Sequence, residues 1–239
     1  MAYDQNLQTN PLIQIDKRNA YHQAGYAAAI YLGNQLKQLP AIHFHVVFKP
    51  QELDEHFTGR FLRMPNKYTA KVEGGRLIQT LPLSSLVANN EFTPAEQEQY
   101  LCAFEADVIN LLSGPLAEAK YVALRDNETF NANLVYLGAL QFYGGKAVMA
   151  TITEYMECFI PDPSLRKQKL AELFLAAYSF VNQRSNWNAI STLADYIRTE
   201  PKTIIPCEDL IALLESQCHT ADGQSISTLP AHRAMLLEQ

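Results

Sequence analysis

Residues 19–48 commit the chain to a helix that runs almost directly into a strand. Apolar or small residues stand at 24, 27, 28, 31, 32, 36 and 39, a stripe of helical period. Pro40 ends the stripe, since proline has no N–H and pushes the residue before it out of helical geometry. Ile42-His43-Phe44-His45-Val46-Val47-Phe48 follows, alternating and rich in β-branched and aromatic residues, the pattern of a strand over 42–48. A helix and a strand joined this closely fit an α+β fold in which each buries one side on a shared core.

The remainder reads as mostly helical. Residues 49–70 carry Pro50, Gly59 and Pro65 among many charges, which predicts a long loop. Gly74-Gly75 reads as a turn into a second strand over 76–81. Thr93-Pro94-Ala95-Glu96 is a capping box with proline at the first helical position. The helix it opens is expected to reach about Leu112, to break at Ser113-Gly114-Pro115 and to resume over 115–124. Residues 125–133 are polar and loop-like. Apolar spacing returns over 134–159, with Gly144-Gly145 as a break. Asp162-Pro163 opens a helix to about Gln183, Ser185 caps one over 186–199, and Pro206 begins a last one to about Ser216. The organisation expected is an arm over 1–18, a single domain over 19–217 and a polar tail over 218–239.

Composition excludes several function classes. The 239 residues are 48% apolar, ample for a sizeable core, and the net charge of −6 with no Lys/Arg run argues against a nucleic-acid partner. No apolar stretch approaches the roughly 20 residues a membrane span needs, and residues 1–19 lack the apolar core of a cleaved signal. The four cysteines show no C-x-x-C spacing and read as free thiols, so the expected location is the reducing cytoplasm. Cys102 and Cys158 lie in apolar helical settings and read as core. Gly145-Lys146 is no phosphate loop, because Leu140 stands where its first glycine belongs and Ala147 replaces the Ser/Thr.

One segment carries a chemical signature with its chemistry removed. His22-Gln23-Ala24-Gly25-Tyr26 has the spacing of H-E-x-x-H, in which two histidines one turn apart hold zinc and the glutamate is the general base. With the flank Ala27-Ala28-Ala29-Ile30-Tyr31-Leu32-Gly33, it resembles the HEAGH helix of the FtsH-type zinc peptidases. Leu111-Leu112-Ser113-Gly114-Pro115-Leu116-Ala117-Glu118 resembles that family's LLAGxxAE segment, which packs on the zinc helix. Gly74-Gly75-Arg76 resembles its GG-containing β segment, and Trp187-Asn188-Ala189-Ile190 with Leu193-Ala194 resembles a late helix of relatives without the ATPase.

The resemblance implies a compact, zincin-like peptidase domain, mainly α-helical, with a small β-sheet and a C-terminal helical bundle. It also implies what is missing. Gln23 stands for the base and Tyr26 for the second histidine. The turn at 144–149, which matches the place of the third ligand, holds no carboxylate. Glutamine can hydrogen-bond a water but cannot take its proton. The expectation is therefore an inactive homologue, with zinc lost and no other cofactor, that binds a protein or peptide in the old cleft by strand addition and side-chain pockets. His22, Gln23 and Tyr26 are its relic positions.

Two alternatives stand beside it. One is a metal-dependent hydrolase with a site rebuilt from His22, His43, His45 or Glu118; the two strand histidines, at i and i+2, share a face. The other is a purely structural subunit with the cleft filled in. Glu118 reads either as a group hydrogen-bonded behind a metal ligand or as a surface carboxylate.

Overall fold

Asp16 starts the first helix, its side chain accepting a hydrogen bond from Arg18 N at 2.7 Å. The computed structural model describes residues 14–50, 67–80, 93–199 and 202–224, and for 218–224 the backbone alone. Within these, strand β1 (Gln14–Ile15) leads into helix α1 (Lys17–Ala28), which continues through a π-helical turn (Ala29–Gly33) and a last turn (Asn34–Leu36). Strands β2 (Phe44–Pro50) and β3 (Lys67–Gly74) follow, then a short 3₁₀ turn (Ile78–Thr80). Helix α2 (Pro94–Arg125), a 3₁₀ segment (Leu137–Phe142), α3 (Gly145–Phe159), α4 (Pro163–Asn182), α5 (Arg184–Thr199), β4 (Ile204–Ile205) and α6 (Cys207–Gln224) complete the described chain. The fold is mainly helical with one small four-stranded sheet.

The sheet order is β1-β3-β2-β4, with β1 parallel to β3 and the other pairs antiparallel. Phe44, Val46 and Phe48 of β2 and Ala70 and Val72 of β3 face the core. Gly74 and Gly75 close the β2–β3 pair at φ +84° and +77°, and Gly75 N donates to His43 O at 3.1 Å. The glycine pair thus ends a strand rather than opening one. The strand expected over 76–81 is instead β3, partly inside the stretch read as a loop, because Lys67, Lys71 and Glu73 sit on its outward side and hid the alternation of Ala70 with Val72. Residues 51–66 of that loop and Leu81 of the expected strand lie outside the described residues.

Helix α2 is the axis of the molecule. It is buried on every side from Ala106 to Lys120, as befits a helix enclosed by other elements, chiefly α1 and α4. It does not break at Ser113-Gly114-Pro115. Pro115 leaves the Leu111 carbonyl without its helical donor, which costs about 3 kcal/mol in an isolated helix. Here tertiary packing outweighs that preference, and Ser113 Oγ donates back to Ile109 O at 2.8 Å. The glycines around the break are packing positions. A Cβ on Gly25 of α1 would overlap the Ala117 methyl and come within 2.6 Å of Ser113 O, so α1 and α2 meet backbone to backbone there.

The Thr93 capping box, Pro94 at the helix start and Asp162-Pro163 all sit where the sequence puts them. Helix α6 runs on to Gln224, past the expected end near Ser216 and into the stretch read as a tail; residues 225–239 lie outside the described residues. Residues 14–18, assigned to the arm, form β1 and the first turn of α1, and the arm's residues 1–13 lie outside the described residues. Cys102 and Cys158, read as core, are exposed, and Cys207 is buried. Both exposed cysteines lie on the outer sides of amphipathic helices whose apolar content concealed which side faces inward.

Candidate functional site

A cleft of about 560 Å³ opens between α1, the edge of β3 and α2. Its walls include His22 and Gln23 from α1, Thr69 from β3, Glu118 from α2, and Gly144. Positions 22 and 23 therefore share one cavity.

Glu118 is buried, not a surface carboxylate. It receives Arg18 Nε at 2.8 Å on Oε1, while Oε2 lies 3.1 Å from His22 Nδ1. His22 Nδ1 is also 3.2 Å from the Tyr143 carbonyl oxygen. Arg18 Nη2 donates to Phe142 O at 2.7 Å and so ties the cleft to the turn that precedes α3. In that turn Gly144 adopts φ +66°, and a Cβ there would stand 3.0 Å from His22 Nδ1 and 3.2 Å from Glu118 Oε2. The 144–149 turn does come against His22, and the residue in contact is a glycine.

Gln23 faces the sheet. Its Oε1 accepts from Val72 N at 2.8 Å. One turn earlier Asn19 accepts from Ala70 N at 2.8 Å and donates to Ala70 O at 3.2 Å. Residues i and i+4 of a helix rise about 6 Å, nearly the distance between i and i+2 of a strand. Asn19 and Gln23 therefore match Ala70 and Val72 rung for rung, and β1 pairs with Lys67 and Tyr68 further along. The edge of β3 that a peptide would join is already hydrogen-bonded by this chain. Strand addition at Ala70 and Val72, the binding mode expected from the sequence, would meet Ala70 N, Ala70 O and Val72 N already engaged.

Tyr26 turns away into a separate polar cluster. Its hydroxyl hydrogen-bonds Arg76, whose Nη1 is 3.5 Å from the Tyr155 hydroxyl. Burial pushes the Tyr26 phenol up to about 12, so a phenolate ligand there is strongly disfavoured. Asp107, 1% exposed, accepts from Leu77 N at 2.8 Å and Ile78 N at 3.0 Å. Burial raises its carboxyl to about 6 despite those bonds and the nearby Arg76 charge.

His43 and His45 are held elsewhere. Their rings lie 5.7 Å apart on the side of β2 opposite Phe44 and Val46, and His45 Nε2 is 3.9 Å from Glu73. The structure thus brings His22 to Glu118 and leaves His45 by Glu73 with His43 beside it, so the four do not form one site. Among the described residues no three His, Cys, Asp or Glu side chains group to hold a metal. None of the described helices is long and apolar enough to cross a membrane.

Sequence reasoning missed Arg18, Asn19, Arg76 and Asp107. Only Asn19 left a signal, as a second amide four residues from Gln23 on the same helix. No family model matches the chain, and no curated protein or solved structure matches it either.

Proposed function

We propose that this chain is a catalytically inactive relative of the FtsH-type zinc peptidase domain, zincin-like in fold, that binds a protein or peptide segment in the cleft beside His22. The observation that carries the reading is the Gln23 contact. The residue at the general-base position is an amide whose oxygen is fixed on Val72 N, and it has no way to accept a proton from water. Two further observations support it. Tyr26 points to Arg76 instead of the cleft, and the turn against His22 presents glycine where a ligand would stand. Because Ala70 N, Ala70 O and Val72 N are already engaged, the proposed ligand enters by its side chains and isolated polar groups. The free thiols accord with action in the cytoplasm.

The test is elemental analysis of protein purified without chelator, alongside a casein digestion assay. The expected result is far less than one zinc per chain and no cleavage. About one zinc per chain, lost on His22→Ala, would overturn the reading in favour of a rebuilt metal site. Restoring Gln23→Glu with Tyr26→His should raise zinc affinity through the i,i+4 pair, without restoring cleavage while Gly144 stands in the third place.

A further inference from the structure

His43 and His45 stand side by side on the outward side of the sheet. Residues i and i+2 of a strand are about 6.7 Å apart and point to one side, a span that two imidazole rings close by leaning together. Here the ring centroids are 5.7 Å apart and the planes are inclined at 49°. Two imidazoles bound to one metal through nitrogens at about 2.0–2.1 Å have their ring centres about 5 Å apart, so small side-chain rotations bring this pair to bidentate geometry. His43 is exposed and the His45 side chain is 30% exposed, which leaves both rings room to turn. The backbone beneath them is fixed. Gly75 N donates to His43 O at 3.1 Å, and His45 pairs with Glu73 across the antiparallel strands.

We propose that His43 and His45 form a surface chelate for a late first-row divalent cation, copper(II) foremost, with water in the remaining coordination positions. The site is separate from the cleft and does not rest on the reading of it. The charges nearby sort the cation. Glu73 Oε2 is 3.9 Å from His45 Nε2, but Glu73 Oε1 receives Lys49 Nζ at 2.8 Å, and the Lys71 charge also acts on this carboxylate. Magnesium and calcium need several oxygen ligands and find here one carboxylate already shared with a lysine. Imidazole nitrogen suits copper, nickel and zinc, and copper stands highest in their order of affinity. The metal takes the place of a ring proton, so the chelate does not need the rings to be neutral beforehand. Two protein ligands hold a metal more loosely than the three or four of catalytic and structural zinc sites, so this one exchanges with the buffer.

Isothermal titration of the untagged full chain with copper(II) at about pH 7.5, with electron paramagnetic resonance of the loaded protein, tests the site. The expected result is about one copper per chain, with nitrogen hyperfine splitting from two imidazoles. His43→Gln and His45→Gln face outward, and an unchanged thermal midpoint checks that each variant keeps the fold. Each should weaken binding at least about tenfold, since loss of even an outer partner of a metal ligand costs about 10- to 100-fold. Excess magnesium should leave the copper in place. Copper that binds equally well in either variant would overturn the chelate, whichever group then holds it. No binding, or displacement by magnesium, would overturn it as well. None of these results bears on the cleft, whose test is the zinc content before copper is added and its loss with His22→Ala.

Discussion

Gly25→Leu should lower the thermal midpoint by about 6–12 °C, the equivalent of about 3 kcal/mol for a domain of this size. The cause is the contact between α1 and α2. A Cβ alone at residue 25 meets the Ala117 methyl and the Ser113 carbonyl, 2.6 Å away, and both belong to the buried centre of α2. Neither obstacle is the flexible end of a side chain, so the two helices have to move apart. Gly33 is the internal control on the same helix. A Cβ there finds Asn110 Oδ1 at 3.5 Å and nothing closer, so Gly33→Ala should leave the midpoint unchanged or raise it through helix propensity. Differential scanning calorimetry of the two variants decides the point. An unaltered midpoint for Gly25→Leu would mean that the helices do not meet at residue 25.

Asp107 should make the protein more stable on mild acidification. Its carboxyl titrates near 6 in the folded protein against an ordinary 3.8, so folding favours the protonated form. Below about pH 3 the group is neutral in both states and carries no penalty. As pH rises from about 3 to 6 the unfolded chain releases the proton first, and stability is lost. Above about 6 the loss is complete, at about 3 kcal/mol for a separation of about two pH units. Glu73, Glu96 and Asp126, held below the usual range by hydrogen bonds from Lys49, Thr93 and Arg125, act in the opposite sense at the surface. Comparison with Asp107→Asn removes them, since they are common to both proteins. Urea unfolding at pH 3 to 7 should show wild type losing about 3 kcal/mol relative to the variant across that range. Parallel curves for the two proteins would show that Asp107 does not titrate there.

The parts of the fold that were legible in the sequence are those decided locally. Thr93 and Glu96 cap each other across three residues, and Asp162 bonds Ser164 and Leu165 next door, so these starts needed no knowledge of the rest. The helix through Pro115 was not legible, because what holds it is contact with α1 and α4, remote in sequence. Strand β3 was obscured for a related reason. Its charges face outward and only Ala70 and Val72 record the core. At the site, the sequence displayed the spacing of His22, Gln23 and Tyr26 but not the partners that hold them. That Glu118 stands behind His22 depends on two residues 96 apart in sequence returning to one place. Arg76 and Asp107 gave no warning because an arginine beside a glycine turn and an aspartate within an apolar helix each look solvated until their neighbours are known.

The fastening of α1 to the edge of β3 places two demands on one side chain. Residue 23 anchors a helix to a sheet through a single oxygen atom, and in the resemblance that same residue is the one that would move protons. A glutamate placed there would have one oxygen restrained by Val72 N, which stabilises its ionised form and makes it a poorer base. To recover full basicity the helix would have to release the strand, and Asn19 would be left to hold the two layers alone. Architecture and reactivity thus compete at this position, and the glutamine keeps the anchor while leaving a neutral donor on the cleft side.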